Sequence, residues 1–102
     1  MSALTTHVLD IVRGTGAAGM RVEVQAPDGQ VTRHRLDDGG RATLLTGLGD
    51  GAYEIRFHAA EYLGGESFYD VIPVRCLISA AQDHYHVPLI LSAYGYSTYR
   101  GG

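Results

Sequence analysis

Apolar and polar side chains alternate along much of the chain, and this alternation predicts short β-strands. The segments 20–26 and 52–59 place apolar side chains at every second position, with mostly polar side chains between them. Because successive side chains of a strand point to opposite faces, each segment predicts a strand with one buried face and one exposed face. The turn sequences Pro27-Asp28-Gly29 and 37–40 (Asp-Asp-Gly-Gly) separate the strands. The pattern indicates an all-β fold.

Two further segments depart from this simple alternation. Residues 31–36 are mostly polar, which predicts an edge-like strand that is partly exposed. Residues 59–63 fit a single helical turn, and Gly64-Gly65 would end it because glycine readily adopts the left-handed conformation that closes helices.

The C-terminal third is apolar on both faces of its predicted strands. In the segments 71–78 and 85–91, apolar residues occupy both odd and even positions, as in strands that are covered on both sides. One face of a sandwich sheet packs on the other sheet, so we expect another subunit to cover the second face. Tyr94, Tyr96 and Tyr99 add the amphipathic surface that is enriched at interfaces. The pattern therefore predicts a homo-oligomer.

Length and composition restrict the class of protein. The chain has 102 residues, which indicates one domain over residues 1–102, and 45% of them are hydrophobic, which argues against disorder. A net charge of -3 argues against a nucleic-acid or membrane partner, because no positive field accumulates. No apolar run reaches the length of a membrane span, and the first ten residues do not resemble a signal peptide. These features, together with the single cysteine, Cys76, predict a cytoplasmic protein.

A glycine-rich segment at residues 14–19 matches the G-x-G-x-x-G pattern of dinucleotide-binding loops. That fingerprint requires a helix to begin at the glycines, so that the helix N-terminus can hold a pyrophosphate. The strand pattern that follows at residues 20–26 leaves no room for such a helix. We interpret the segment as a connecting loop.

The sequence His84-Tyr85-His86 places two imidazoles on one side of a predicted strand, a spacing that also occurs in zinc sites. A third ligand would have to come from a distant residue such as His7, His34 or Cys76. No second spaced pair exists, so we predict no metal site and interpret His84 as a solvated strand histidine. Cys76 lies within an apolar run, where burial makes a thiol inert.

His7 and Arg41 are candidate functional residues that the pattern alone does not distinguish from structural ones. His7 shares a strand face with Thr5, Leu9 and Ile11, so a hydrogen-bonded core histidine is the default interpretation. Arg41 follows the Asp-Asp-Gly-Gly turn, where a solvated cation is equally expected.

Three sequence blocks carry a specific resemblance. They are residues 6–10 (THVLD), residues 38–41 (DGGR) and residues 85–101 (YHVPLILSAYGYSTYRG). Together they strongly resemble the transthyretin-like 5-hydroxyisourate hydrolases, and the likeness extends over essentially the whole chain. The Tyr-Arg-Gly segment at residues 99–101 is specific to the hydrolases within the wider transthyretin family.

The resemblance implies a fold, an assembly and a set of site residues. The fold is a transthyretin-like sandwich of two four-stranded sheets with one short helix, assembled as a homotetramer whose central channel holds the active sites. His7, Arg41 and His86 match the family's catalytic positions. The substrate-binding segment comprises Tyr99, Arg100, Gly101 and Gly102.

Two positions depart from the family pattern. The family has a serine, counted among its catalytic residues, where this sequence has Gly102, and a proline is common at Ala17. Loss of the serine hydroxyl removes a proton relay or a substrate contact, so we expect slower catalysis.

The implied reaction is hydrolytic ring opening of 5-hydroxyisourate to 2-oxo-4-hydroxy-4-carboxy-5-ureidoimidazoline in urate degradation. It needs no metal or other cofactor if a base activates water and a cation holds the oxyanion. We expect His7 and His86 to share the proton transfers and Arg41 to bind or polarise the carbonyl. Sequence does not distinguish which histidine is the base.

Two other classes of function compete with this interpretation. Transthyretin itself is a carrier, so a non-enzymatic small-ligand binding module is the main alternative. A carrier would need an apolar channel and would not need His7, Arg41 and His86. A plain structural β-sandwich accounts for the strands but not for the C-terminal segment.

Overall fold

Two β-sheets packed face to face form the body of the molecule in a computed structural model that describes residues 2–102. The alternating segments become strands because each can bury one row of side chains between the sheets. The elements are β1 Ala3–Asp10, β2 Thr15–Gly16, β3 Arg21–Gln25, β4 Val31–Arg35, β5 Arg41–Thr46, β6 Gly51–His58, α1 Ala59–Leu63, β7 Val71–Ile78, β8 His84–Leu91 and β9 Tyr96–Thr98.

Each sheet is four strand positions wide. The second sheet has the order β4-β3-β6-β7, and all its pairs are antiparallel. In the first sheet β9 pairs with β8, and β8 runs parallel to β1. The far side of β1 is shared by β5 and by the two-residue β2, so this sheet has five strands. The predicted sandwich of two four-stranded layers is confirmed, and β2 is a short addition to one edge.

The core lies between the sheets and follows the alternation predicted from sequence. In β3 and β6, Val22, Val24, Ile55 and Phe57 are fully buried, and the residues between them are half-buried. Burying one such side chain contributes about 1.5–3 kcal/mol to folding. β1 buries Leu4, Thr6, Val8 and Asp10, which leaves its odd-numbered residues on the outer face of the first sheet.

The short helix and the edge strand also form as predicted. α1 ends at Gly64, whose φ of 72° is left-handed, as expected for glycine at a helix end. Tyr62 of this helix donates a 2.7 Å hydrogen bond to the buried Asp10 carboxylate. β4 lies at the edge of the second sheet.

Of the two strands expected to be covered on both faces, β8 also buries Pro88 on its outer face, whereas β7 is covered on only one face within a single chain. On β7, Val71 and Leu77 point away from the core, and Leu77 is 85% exposed. Cys76 faces inward and is half-buried, and burial raises the pKa of its thiol. The edge strands β7 and β9 leave large apolar side chains exposed, among them Leu77 and Tyr96.

The glycine-rich segment forms the connecting loop that the pattern predicted. Residues 14–19 contain the two-residue β2 and turns, with no helix. A Cβ at Gly16 would overlap the carbonyl oxygen of Gly39, so the glycine allows two loops to touch. Within residues 2–102, no helix has the length and apolar character to cross a membrane.

Candidate active site

The register of the first sheet gathers the candidate residues on its outer face. His7 of β1 lies opposite Arg41 of β5 on one side and opposite Pro88 of β8 on the other. Thr5, two residues before His7 and on the same face, lies opposite His86 of β8. Side chains at paired positions on one face are neighbours. Residues that are about 80 positions apart in sequence therefore meet.

A tight turn at residues 37–40 fixes the start of β5. One carboxylate oxygen of Asp37 accepts hydrogen bonds from the amides of Gly39 (3.0 Å) and Arg41 (2.9 Å). The carbonyl oxygen of Gly39 accepts a 3.1 Å hydrogen bond from Nε2 of His7. This contact places a proton on His7 Nε2, because a carbonyl oxygen only accepts. The turn thus orients His7 and positions Arg41 beside it.

His7 is therefore not the core histidine that its apolar neighbours suggested. It lies half-buried on the outer face of the sheet, while Val8 beside it fills the core. The parity of β1 decides this, because the odd-numbered residues of the strand face outward.

Two hydrogen bonds outside the main sheet ladder hold His86. Its ring nitrogen Nδ1 lies 2.8 Å from the hydroxyl of Thr5, and its carbonyl oxygen accepts a 2.7 Å hydrogen bond from the amide of Gly101. Nε2 has no hydrogen-bond partner among residues 2–102, and it is not buried. This nitrogen is available to a ligand or a water molecule.

The surroundings of His86 favour its neutral form. Burial is the main cause that lowers its pKa below the ordinary value of 6.5. Positive charge at three neighbours lowers the pKa further, and these neighbours are His84, Arg41 and His7. A neutral imidazole with a free nitrogen is the form that accepts a proton.

An open cleft of about 410 Å³ lies over this part of the sheet. Its polar lining consists mainly of the side chains of Thr5, Asp37, Arg41, Thr43, His84 and His86, and Gly102 also contributes. His7 is not part of the lining. It pairs with Arg41 across β1 and β5, so it lies next to the cleft. The cleft combines the Arg41 guanidinium with two imidazoles and hydroxyl groups, which suits a polar ligand that develops negative charge.

Residues 99–102 of the C-terminal segment lie partly at the cleft and partly at a separate cavity. Gly101 bridges to His86, and Gly102 lines the cleft. Arg100 borders a smaller recess with both glycines, although its guanidinium stacks 4.5 Å from the ring centre of Tyr85. Tyr99 lies apart, over a separate 310 Å³ cavity at the open edge between the sheets. Within one chain, the structure does not bring Tyr99 to the cleft.

Sequence reasoning missed Thr5 and Asp37. Thr5 was noted only as a neighbour of His7 on the strand, yet its hydroxyl contacts both His84 and His86. The sequence contained a signal for Thr5, since residues two positions apart on a strand share a face and Thr5 is two positions from His7. Asp37 was treated as a turn residue, and the structure adds that it caps the amide of Arg41.

The two histidines of the His-x-His segment lie on the same side, as predicted. Their ring centres are 6.4 Å apart, and both rings contact the Thr5 hydroxyl. Among residues 2–102, no group of three or more histidine, cysteine or acidic side chains could hold a metal ion.

Comparisons with known proteins show similarity over almost the whole chain. The family model described as the HIUase/transthyretin family matches residues 4–101. A relative from Rhizobium meliloti (strain 1021), named 5-hydroxyisourate hydrolase 2, is 41% identical over 96% of this chain and 94% of its own length. A second relative from Caulobacter vibrioides, named 5-hydroxyisourate hydrolase, is 40% identical over 99% of each chain.

Solved structures extend the likeness to the fold. The structure of Klebsiella pneumoniae 5-hydroxyisourate hydrolase superposes with a TM-score of 0.88 at 32% identity, covering 100% of both chains. Sea bream transthyretin in complex with thyroxine gives a TM-score of 0.84 at 27% identity, covering 96% of this chain and 93% of that one.

Proposed function

This chain belongs to the HIUase/transthyretin family, and on that basis we propose that it is a hydrolase that opens the ring of 5-hydroxyisourate. Water would add to a ring carbonyl and a C–N bond would break, giving 2-oxo-4-hydroxy-4-carboxy-5-ureidoimidazoline. The observation that carries the proposal is one cleft that joins the free Nε2 of His86 to the guanidinium of Arg41.

His86 is the residue best suited to activate water. Its Nε2 is free, whereas Nε2 of His7 already donates to Gly39. The lowered pKa of His86 keeps its ring neutral at neutral pH, so the nitrogen can accept a proton from water. These observations support His86 as the base, a role that sequence left open.

Arg41 and His7 complete the proposed reaction. The water oxygen bonds to the carbonyl carbon as His86 takes the water proton, and Arg41 stabilises the oxyanion that forms. The C–N bond then breaks as the ring nitrogen receives a proton. His7 supplies that proton from Nδ1 in its doubly protonated form, because its Nε2–H is held by Gly39, and it regains a proton from solvent after the ring has opened. No metal ion takes part in these steps.

A carrier function is the alternative from the same family. A carrier of apolar ligands would present an apolar surface at this position, whereas charged and hydroxyl-bearing side chains line the cleft. The polarity of the cleft supports hydrolysis.

A spectroscopic assay with freshly generated 5-hydroxyisourate tests the proposed function. We expect the protein to remove the substrate faster than spontaneous decay, and the His86→Asn variant to lose this effect. His34→Asn is the matched control, because His34 lies on β4 of the other sheet. Decay at the spontaneous rate in the presence of folded protein would refute hydrolysis.

We also propose a homotetramer in the cytoplasm. Exposed apolar side chains on β7, on β9 and directly after β9 support an assembly larger than one chain; they include Leu77, Tyr96 and Tyr99. The unpaired thiol of Cys76 agrees with a reducing compartment. Sedimentation at micromolar concentration tests the assembly, and a species of 11.0 kDa would exclude it. Cell fractionation tests the location.

A further inference from the structure

One hydroxyl group lies between two imidazoles at the edge of the cleft. Oγ1 of Thr5 is 2.9 Å from Nε2 of His84 and 2.8 Å from Nδ1 of His86. Both distances are within the normal range for hydrogen bonds. His84 is exposed and His86 is half-buried, so the hydroxyl connects an inner ring to a solvated one.

The hydroxyl couples the protonation states of the two rings. It has a single proton to donate, and it accepts through its lone pairs. When Thr5 donates to His84, it must accept from the Nδ1–H of His86, which leaves Nε2 of His86 bare. When it donates to His86 instead, Nε2 of His86 carries the proton and His84 becomes the donor. Each ring therefore fixes the tautomer of the other.

We propose that Thr5 is a positioning residue that links His86 to His84 in a proton relay, an inference that rests on the proposed hydrolase function. In the resting state Thr5 donates to Nε2 of His84. Nδ1–H of His86 then points at Thr5, and Nε2 of His86 faces the water to be activated.

Protons balance along the relay. As the water oxygen bonds to the substrate carbonyl carbon, a water proton moves to Nε2 of His86. The Nδ1 proton of His86 moves to Oγ1 of Thr5, and the Thr5 hydroxyl proton moves to Nε2 of His84. One proton leaves the water and one arrives on His84, so His86 and Thr5 end neutral. The positive charge then lies on an exposed ring that can return the proton to solvent.

The charges around His86 explain why a relay is useful. Arg41 on β5 and His7 on β1 both disfavour an imidazolium at His86. Arg100 borders the recess beside His84 and His86, and the carboxylate that lines the cleft, Asp37, is already engaged by two backbone amides. Moving the charge to His84 places it in solvent, where water screens it.

Two substitutions at Thr5 test the relay. Thr5→Val keeps the branched shape and removes the hydroxyl, so we expect kcat to fall roughly 10²-fold, the lower end of the contribution of a positioned proton-transfer group, with little change in KM. Thr5→Ser keeps the hydroxyl and should retain most of the activity. Thr32→Val is the matched control, because Thr32 makes a similar 3.1 Å contact with His34 on the other sheet. Equal kcat for Thr5→Val and the unaltered protein would overturn the relay.

A second readout does not depend on activity. Imidazole ¹⁵N NMR of the unaltered protein should show His84 and His86 as single, complementary tautomers, and Thr5→Val should give mixed tautomers at both rings. Unchanged tautomers in Thr5→Val would overturn the proposal. If Thr5→Val does not fold, His84→Gln replaces it, with the same expected loss of kcat and a mixed His86 tautomer. An inactive unaltered protein with coupled tautomers would refute the hydrolase function and leave the coupling established.

Discussion

The amide of Gly101 donates a 2.7 Å hydrogen bond to the carbonyl oxygen of His86, and a Cβ at position 101 would lie 2.6 Å from Cδ2 of the His86 ring. Carbon atoms do not approach this closely without one of them moving. The absence of a side chain at Gly101 is therefore part of what positions the imidazole.

Gly101→Ala should displace the His86 ring while preserving the fold. We expect kcat to fall on the order of 10²-fold, as for an active group moved by about 1 Å. The thermal midpoint should change little, because Gly101 lies outside the core. Gly49→Ala is the control, since a Cβ there meets nothing within 4 Å. Steady-state kinetics and thermal unfolding of both variants provide the measurements, and full activity in Gly101→Ala would contradict this role for the glycine.

Single replacement of His7, Arg41 or His86 should lower turnover far more than stability. Groups that act in the transition state affect kcat, whereas none of these three side chains belongs to the buried core. The expected loss is about 10²–10⁴-fold for His86→Asn. Assays paired with chemical denaturation separate the two effects. A variant that unfolds while its folded fraction turns over normally would assign that residue a structural role.

The acid limb of activity should lie below pH 6.5. Catalysis needs neutral His86, and burial lowers the pKa of this residue below 6.5. The same shift affects stability. Between the pKa of His86 in the folded protein and its higher pKa in the unfolded chain, the unfolded chain binds more protons. The contribution of His86 to the free energy of unfolding is therefore full above about pH 6.5, and it is lost as pH falls through the pKa of the folded protein. A pH profile of kcat/KM, with an NMR titration of His86, measures both. A midpoint above 6.5 would contradict the assigned environment.

Gly102→Ser should accelerate the reaction. A serine hydroxyl can donate and accept a hydrogen bond at once, and a Cβ at position 102 meets nothing within 4 Å, so the side chain fits. If a water now replaces the hydroxyl, ordering it costs about 0–2 kcal/mol, which limits the gain to roughly thirtyfold. Kinetics and sedimentation should show a faster enzyme with an unchanged assembly. An unchanged or slower rate would show that the hydroxyl is dispensable.

Hydrolysis should survive exhaustive chelation. The proposed steps use only imidazole, guanidinium and hydroxyl groups, and residues 2–102 contain no complete cluster of metal ligands. The assay is repeated after dialysis against a chelator and again with added zinc. Loss of activity that zinc restores would make His84 and His86 metal ligands and would replace the proposed mechanism.

The alternation of side chains was sufficient to predict much of the fold. β3, β6 and the short helix occur where the pattern placed them, because burial of one strand face is a local property that sequence records directly. The loop at residues 14–19 was also predicted, since the strand pattern after it excludes a helix. Resemblance to a known family, rather than periodicity, supplied the candidates His7, Arg41 and His86.

The tertiary structure decided what periodicity could not. Alternation predicts that residues share a face but not whether that face looks inward, so His7 seemed a core residue until β1 was placed in its sheet. Apolar residues on both faces of β7 predicted cover that a single chain does not provide, because the opposing sheet packs on only one face of the strand. The bridge from Thr5 to His84 and His86 depends on the parallel pairing of β1 with β8. That register joins residues about 80 positions apart, and only packing of the whole chain sets it.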